Sequence, residues 1–169
     1  YNIIMQFNDQ EDLYFNFAFT NDGSVGLYNK DVGDVYHSVF GAREEAEDKF
    51  ISPLDFRNNF FKQPNINVLD ICFGIGYNTK ALLKKILQEN YQGNLHVDIL
   101  EYDKNLVTIS PFIVDGYLKK YPEISYILAT NLIDSIYENR SFLFSIINNY
   151  KNFKYIEPFY KSLIKKYHY

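Results

Sequence analysis

The sequence predicts an α/β fold built around one β-α-β unit, and three features carry that prediction. Residues 68–73 form an apolar run with one embedded acid, Asp70, and they lead into the glycine pair Gly74 and Gly76. A helical pattern follows the glycines, and residues 95–103 then form a second apolar stretch that ends in acids. Two strands joined by a helix in this way favour a parallel, right-handed arrangement.

Before this unit we expect an N-terminal subdomain, residues 1–60, that contains a β-hairpin. Apolar and polar residues alternate over residues 13–20, as in a strand. Residues 21–23 are typical of a turn, and residues 24–28 should form the second strand. A short acidic helix should follow the hairpin. The apolar residues expected on its inner face are Ala42, Ala46, Phe50 and Ile51.

Further helices are predicted on both sides of the glycine turn. Ser52 and Pro53 should start a helix as its N-cap and first residue. In the second domain, residues 61–169, the helix after the turn should bury Ala81, Leu82, Leu83, Ile86 and Leu87. Beyond the second strand we expect helices over residues 110–121, 124–150 and 154–167.

Length and composition exclude several classes of protein. A chain of 169 residues with 47% hydrophobic and 18% aromatic content is long enough for one core and is not disordered. The single cysteine, Cys72, excludes an internal disulfide framework and a cysteine-based zinc cluster. No metal-ligand or Ser-His-Asp set stands out among the histidines. The lack of a signal-peptide pattern and of an apolar run near about 18 residues favours a cytoplasmic protein.

Charge is distributed unevenly along the chain. Residues 1–110 hold nine basic and 16 acidic side chains, whereas residues 111–169 hold eight basic and five acidic ones. Tyrosines and lysines alternate in residues 150–169, which suits stacking on RNA bases and contact with phosphates. An ordinary solvated helix surface explains the same pattern, so both interpretations stay open.

The glycine turn indicates a ligand site. Side chains at Gly74 or Gly76 should occupy space that a ligand needs, and the N–H groups after the turn suit a polar ligand. The spacing from Asp70 is closer to the adenosylmethionine pattern D/E-x-G-x-G, with Cys72 in place of a glycine, than to a dinucleotide fingerprint. Thr79 stands where that fingerprint has its third glycine, which disfavours a nicotinamide-dependent reductase. The alternative is an ordinary strand-to-helix turn.

Acids at the end of the second strand strengthen the ligand-site hypothesis. Parallel strands bring their carboxyl ends to one edge, so these acids should lie beside the glycine turn. Asp103 is expected to hold ribose hydroxyls there, with Glu101 as the weaker candidate. Either feature alone is a weak signal, and the two together are a moderately strong signal of a nucleotide site.

Blocks of sequence in residues 20–104 resemble the methyltransferase domain of the enzymes that complete 5-methylaminomethyl-2-thiouridine at the tRNA wobble position. One block is residues 20–24 with Leu27-Tyr28, and another is residues 36–42 with Glu45-Ala46 and Phe50. The last block is Leu69-Asp70 and residues 73–78, joined to residues 100–104. The block at residues 36–42 is much more particular to this family than the glycine turn is.

The resemblance implies a Rossmann-like core that binds S-adenosyl-L-methionine and methylates the aminomethyl group of a wobble uridine in tRNA. It places Asp70, Gly74 and Gly76 on the cofactor loop, and Asp103 on the ribose. The other cofactor-binding residues it implies are Asn78, Glu101, Tyr36, His37 and Ser38. For His37 a structural role as a loop cap stays open, and no catalytic proton acceptor is assigned.

The sequence also departs from the family. Two motifs of the later strands, a Gly-Asp-Ala-Arg-like adenine contact and an Asp-x-Phe-x-Pro-like substrate motif, have no counterpart in residues 105–169. We therefore expect either the N-terminal half of such an enzyme or a diverged short relative, and expect no tRNA methylation by these 169 residues alone. An uncovered sheet should favour self-association or a partner. A non-catalytic adenosylmethionine- or nucleotide-binding module is the alternative function.

Overall fold

The fold is a mixed α/β arrangement of two small sheets with helices, seen in a computed structural model. The structure describes residues 16–29, 33–36, 41–55, 59–113, 115–116, 118–137 and 143–147. One sheet has strand order β1-β2-β3 and lies in the N-terminal part, and the other has strand order β4-β5-β6. This agrees with the predicted α/β class.

The N-terminal sheet is antiparallel and contains the predicted hairpin. Strand β1, Asn16–Phe19, pairs with strand β2, Val25–Asn29, and strand β3, Asp34–Tyr36, adds to the other side of β2. The turn closes through the Gly23 N–H, which donates to the Thr20 carbonyl at 3.0 Å. The hairpin is therefore confirmed, and β3 is a further strand that the sequence pattern did not indicate.

The hairpin turn also caps the helix that follows the sheet. Asp22 accepts hydrogen bonds from the Ser24 N–H at 2.9 Å and from the Glu44 N–H at 3.0 Å. The Ser24 hydroxyl oxygen accepts from the Ala42 N–H at 3.1 Å. A Cβ atom at Gly41 would lie 2.6 Å from the Asp22 side chain, so only glycine allows this approach. Two of the sequence blocks are thus held together by helix capping.

We predict that Asp22→Ala lowers the free energy of unfolding by about 1–2 kcal/mol at pH 7, because the first turn of the helix loses its cap. Burial acts to raise the pKa of Asp22, but hydrogen bonds from Ser24, Thr20 and Glu44 outweigh it and lower the pKa to about 2. A lowered pKa stabilises the fold above the unfolded value of about 4, and this contribution is lost as the pH falls through about 2.

Urea unfolding between pH 7 and pH 2 tests this prediction. The stability difference between wild type and Asp22→Ala should shrink as the pH falls from 4 to 2. Asp48→Ala, at an exposed acid of the same helical stretch, is the control and should change little. A difference for Asp22→Ala that persists undiminished at pH 2 would show that the carboxylate charge is not what caps the helix.

The helical stretch after the sheet is continuous. Helix α1 spans Ala42–Ala46, a π-helical turn spans Glu47–Ile51, and helix α2 spans Ser52–Asp55. The prediction for Phe50 is wrong, since its side chain is 51% exposed while Ile51 is 8% exposed. Hydrogen bonds in the π-helical turn span five residues instead of four, so the turn holds more residues than an α-helical turn, and Ile51 rather than Phe50 follows buried Ala46 on the inner face.

The prediction that Ser52 starts a new helix as its N-cap is also wrong. Ser52 has helical backbone angles, φ −55° and ψ −39°, and directly continues the π-helical turn before it. An N-cap residue has non-helical angles. The Ser-Pro pair therefore lies within one continuous helical stretch.

The second sheet contains the predicted β-α-β unit. Strand β4, Asn65–Ile71, leads through the glycine turn to helix α3, Tyr77–Gln88, and then to strand β5, Asn94–Leu100. The two strands are parallel, with Ile71 in register with Leu100, so their carboxyl ends meet. Helix α3 buries Ala81, Leu82, Leu83 and Ile86 as predicted, and Leu87 is partly buried.

The region after β5 differs from its prediction. Helix α4, Lys104–Ile109, begins directly after the acids, where no helix was predicted. The predicted helix over 110–121 is wrong: it is replaced by two short 3₁₀ turns, Ser110–Phe112 and Leu118–Lys120. Proline at position 111 follows α4 and supplies no N–H to continue its ladder.

The predicted helix over 124–150 is correct only in its first part. Helix α5 spans Pro122–Tyr137, and strand β6, Leu143–Ile147, then pairs antiparallel with β5. The branched and aromatic residues of β6 suit a strand, and pairing supplies partners for the backbone groups at that edge of β5. The predicted helix over 154–167 lies outside the described residues.

One face of the second sheet presents apolar side chains to solvent. Leu69 is 57% exposed, Ile71 is 60% exposed and Leu100 is 36% exposed, whereas their neighbours Ile66 and Ile99 face the core. Strand β4 is also an edge of this sheet among the described residues. These exposures agree with the uncovered sheet that the sequence predicted, while self-association or a partner stays a prediction. No helix in the described part of the chain has the length and apolarity needed to cross a membrane.

Candidate functional site

The glycine turn and the acids after β5 form one site at the carboxyl edge of the second sheet. The Cys72 and Phe73 N–H groups donate to the Leu100 carbonyl at 3.0 Å and 3.3 Å. The Gly74 N–H donates to Glu101 Oε2 at 2.7 Å. These bonds extend the strand pairing beyond the sheet and tie the turn to the second strand. The juxtaposition expected from two parallel strands is therefore present.

Glycine is required at position 76 by packing within the turn. Gly76 has φ 84°, a left-handed conformation that L side chains rarely adopt. A Cβ atom there would lie 2.3 Å from the Phe73 ring and 2.9 Å from Ser110 Oγ. The expectation that a Gly76 side chain would project into a ligand is wrong, because this space belongs to the Phe73 ring. Gly74 also has a left-handed φ, 59°.

Cys72 occupies a glycine-like position in the turn. Its φ is 60°, so it adopts the left-handed conformation without being glycine. The adenosylmethionine pattern has a glycine at this place, and the backbone here keeps the glycine-like conformation despite the substitution. The thiol of Cys72 is exposed.

Asp70 stabilises the start of α3 from the preceding strand. Its carboxylate accepts a hydrogen bond from Thr79 Oγ1 at 2.6 Å. Burial raises the pKa of Asp70, hydrogen bonds from the Thr79 side chain and N–H and the Asn78 side chain act to lower it, and the charge of Glu101 raises it further. Since the N-cap Gly76 has no side chain, Asp70 supplies the capping oxygen for this helix. The predicted site residues Asp70 and Asn78 therefore contact each other.

The two predicted ribose-binding acids differ in position. Glu101 bridges the site, because Oε2 accepts from the Gly74 N–H and Oε1 accepts from the Asp103 N–H at 2.9 Å. Asp103 is the N-cap of α4, and its Oδ1 accepts from the Asn105 N–H at 2.9 Å. Glu101 is thus the acid that faces the glycine turn directly.

The remaining predicted site residues are only partly described. Tyr36 is the last residue of β3 and pairs with Leu27 of β2. His37 and Ser38 lie outside the described residues. Their predicted contact with the cofactor stays a prediction, as do the cofactor-binding roles of the other residues.

A buried polar cluster beside the turn was missed by sequence reasoning. Tyr77, Lys80 and Asp115 are all buried, and the Tyr77 hydroxyl donates to Asp115 Oδ2 at 2.8 Å. The helical pattern gave one available signal, because Lys80 lies on the same face as the buried residues of α3. Asp115 carries no such signal, since it lies in an irregular segment.

Other features of the described residues lie away from this site. A cavity of about 150 Å³ is lined by Glu47, Ile51, Ser52, Ala81, Lys84, Lys85 and Gln88, none of which belongs to the turn. Within the described ranges there is no group of three or more His, Cys, Asp or Glu side chains that could hold a metal ion. The glycine turn with Glu101 is therefore the best-supported candidate site.

Comparisons with known proteins cover part of the chain. No protein-family model matches it. An uncharacterized protein of Methanocaldococcus jannaschii is 32% identical over 94 residues, which are 56% of this chain and 24% of that protein. The chain thus spans about a quarter of the length of this relative. The crystal structure of MnmC2 from Aquifex aeolicus is 33% identical, with a TM-score of 0.45 over 52% of this chain and 29% of that one.

Proposed function

We propose that the glycine turn and Glu101 form an S-adenosyl-L-methionine site in a Rossmann-like methyltransferase core that acts on tRNA. The observation that carries the proposal is the contact between the Gly74 N–H and Glu101 Oε2 at the carboxyl edge of two parallel strands. A backbone donor and a carboxylate acceptor meet there, and nucleoside ligands of α/β folds bind at this kind of edge.

The donor and acceptor groups fit an adenosylmethionine ligand. The Glu101 carboxylate accepts hydrogen bonds, which suits the two ribose hydroxyls, and the Gly74 N–H donates to an oxygen or nitrogen of the ligand. The Gly74 N–H and Glu101 now bond each other. The carboxylate oxygens keep lone pairs that can accept from the ribose hydroxyls, and the Gly74 N–H binds the ligand when its bond to Glu101 is exchanged. Asp103 stays with α4 as its cap and has at most a supporting role.

The chemistry follows from what each component supplies. When bound, adenosylmethionine supplies an electrophilic methyl group on sulfur. This chain orients the nucleoside end through Glu101 and fixes the turn through Asp70 and Gly76. Positioning of this kind supplies much of the rate acceleration in a transfer reaction. The proton acceptor for the substrate amine is left unassigned.

The substrate is proposed from the resemblance of the sequence blocks in residues 20–104. That resemblance points to the aminomethyl group of a modified wobble uridine in tRNA. The structure adds a physical reason for part of the family pattern, since Asp22, Ser24 and Gly41 form one capping arrangement. We expect the full gene product that contains residues 1–169 to transfer methyl groups to tRNA that carries the aminomethyl group.

The exposed apolar face favours a second candidate, a non-catalytic adenosylmethionine-binding module that works with a partner chain. Leu69, Ile71 and Leu100 present the apolar surface that such a partner would cover. The two candidates share the ligand and differ in whether transfer occurs.

A methyl-transfer assay separates the candidates. Labelled adenosylmethionine is incubated with the full gene product and tRNA that either carries or lacks the aminomethyl group. Label that enters only the aminomethyl-bearing tRNA supports the enzyme. Binding without transfer to either tRNA supports the module, and absence of binding contradicts both.

A further inference from the structure

The polar cluster next to the glycine turn joins three parts of the molecule. Tyr77 is the first residue of α3 and directly follows Gly76. Its hydroxyl accepts a hydrogen bond from the Val25 N–H at 2.9 Å and donates one to Asp115 Oδ2 at 2.8 Å. Val25 begins strand β2 of the N-terminal sheet. A single hydroxyl therefore links the N-terminal sheet, the start of α3 and the segment that contains Asp115.

Asp115 is itself held in place by backbone groups. Its Oδ1 accepts from the Leu118 N–H at 2.9 Å, and its carbonyl oxygen accepts from the Lys119 N–H at 3.0 Å. Burial and the charge of Asp115 raise the pKa of the Tyr77 hydroxyl. The hydroxyl therefore keeps its proton and stays a donor to the carboxylate at physiological pH.

Lys80 is one turn further along α3 and faces the same cluster. Its Nζ donates to the Ile113 carbonyl at 3.2 Å and lies 5.3 Å from the centre of the Tyr77 ring. Its backbone N–H makes the first hydrogen bond of the α3 ladder, to the Gly76 carbonyl at 2.8 Å, which places Lys80 one turn after the glycine. Burial lowers the pKa of Lys80 to about 7, although the charge of Asp115 acts to raise it. The charge of this side chain thus changes near neutral pH.

We propose that Tyr77 and Lys80 are positioning residues of the ligand site, which hold the first turn of α3 and the N-terminal sheet in the arrangement that binds ligand. This inference rests on the proposed function, because it concerns the same adenosylmethionine site. Neither side chain is needed to touch the ligand. A displacement of about 1 Å in an active site can lower a reaction rate roughly a hundredfold. Side chains that fix the position of the glycine turn should therefore affect the site strongly.

The first test replaces the hydroxyl and keeps the ring. Tyr77→Phe removes the hydrogen bonds that the hydroxyl makes with the Val25 N–H and with Asp115 Oδ2, and it should weaken adenosylmethionine binding about tenfold. Tyr91→Phe is the matched control. Tyr91 is likewise a buried tyrosine, and its hydroxyl donates to the Gln63 carbonyl at 2.9 Å and to the Asn94 carbonyl at 3.1 Å, but it follows the far end of α3. Tyr91→Phe should lower the stability of the protein and leave its affinity for adenosylmethionine unchanged.

The second test is a pH profile, which a purely structural role would not move. Affinity for adenosylmethionine is measured by calorimetry from pH 6 to pH 8 in wild type and in Lys80→Met. Protonation of the ligand itself affects both profiles equally. The difference between the two profiles therefore measures the effect of Lys80 on affinity. We expect Lys80→Met to bind more weakly than wild type at pH 8, because methionine cannot donate to the Ile113 carbonyl, and we expect this difference to narrow as the pH drops through about 7 and Lys80 becomes a buried charge.

Each outcome decides between distinct claims. Parallel pH profiles for wild type and Lys80→Met, or equal affinity losses in Tyr77→Phe and Tyr91→Phe, would overturn the positioning role and leave the proposed function intact. Wild type that binds no adenosylmethionine at any pH would overturn the proposed function, and the positioning role with it.

Discussion

Gly76→Ala is expected to lower the free energy of unfolding by about 2–5 kcal/mol, the sum of a positive-φ penalty and an overpacking penalty. A Cβ atom at this position meets the Phe73 ring at 2.3 Å, and φ is 84°. Since whole domains are stable by only about 5–15 kcal/mol, this is a large fraction of the total. Gly76→Val adds a branched side chain at a positive φ and should prevent stable folding.

Two other glycines separate the contributions to this effect. Gly33 has φ 73° and nothing within 4 Å of its Cβ position, so Gly33→Ala measures the backbone strain alone, about 1 kcal/mol. Gly116 has open space and no positive φ, so Gly116→Ala should be nearly neutral. Urea unfolding followed by circular dichroism gives all three values. If Gly76→Ala lowers the free energy of unfolding no more than Gly33→Ala does, packing of the Phe73 ring does not require glycine at position 76.

Glu101→Gln is expected to weaken adenosylmethionine binding at least about tenfold, since each hydrogen bond to a charged acceptor contributes roughly 1.5–3 kcal/mol. Glutamine keeps the size of the side chain but has one acceptor oxygen for the two N–H groups that Glu101 now satisfies. Calorimetric titration of the variant gives the dissociation constant. Its melting temperature shows whether the fold is retained.

Asp103→Asn is the matched comparison for Glu101→Gln. Asparagine is as good an N-cap as aspartate, so α4 should keep its start and adenosylmethionine affinity should change little. Sequence reasoning expected the larger effect at Asp103. The contact between Glu101 and the Gly74 N–H leads us to expect the reverse order. Stronger loss of affinity in Asp103→Asn than in Glu101→Gln would assign the ribose to Asp103.

The central part of the fold could be predicted because its signals are local. The apolar run before Gly74, the helical pattern of α3 and the acids after β5 each fix one element, and parallel pairing then brings turn and acids together. The hairpin followed from strand alternation and from Asn21-Asp22-Gly23 for the same reason. The class and the location of the site follow from these elements.

The predictions from sequence were wrong where a tertiary contact determines which of two locally possible structures forms. Residues 143–147 continue an apolar pattern that also fits a helix, and the open edge of β5 makes them a strand. Phe50 and Ile51 are adjacent, and a π-helical turn selects Ile51 for the core. The Tyr77–Asp115 contact joins residues 38 positions apart, which no spacing rule indicates.

Amide chemical shifts of isotopically labelled protein, recorded during a titration with adenosylmethionine, test the central claim most directly. The Gly74 N–H now donates to Glu101, and the Asp103 N–H donates to the same carboxylate. We predict saturable shifts of the Gly74, Glu101 and Asp103 amides, with Lys85 and Gln88 at the separate cavity unchanged. Saturable shifts confined to the cavity residues, or no saturable shift at any residue, would contradict the account.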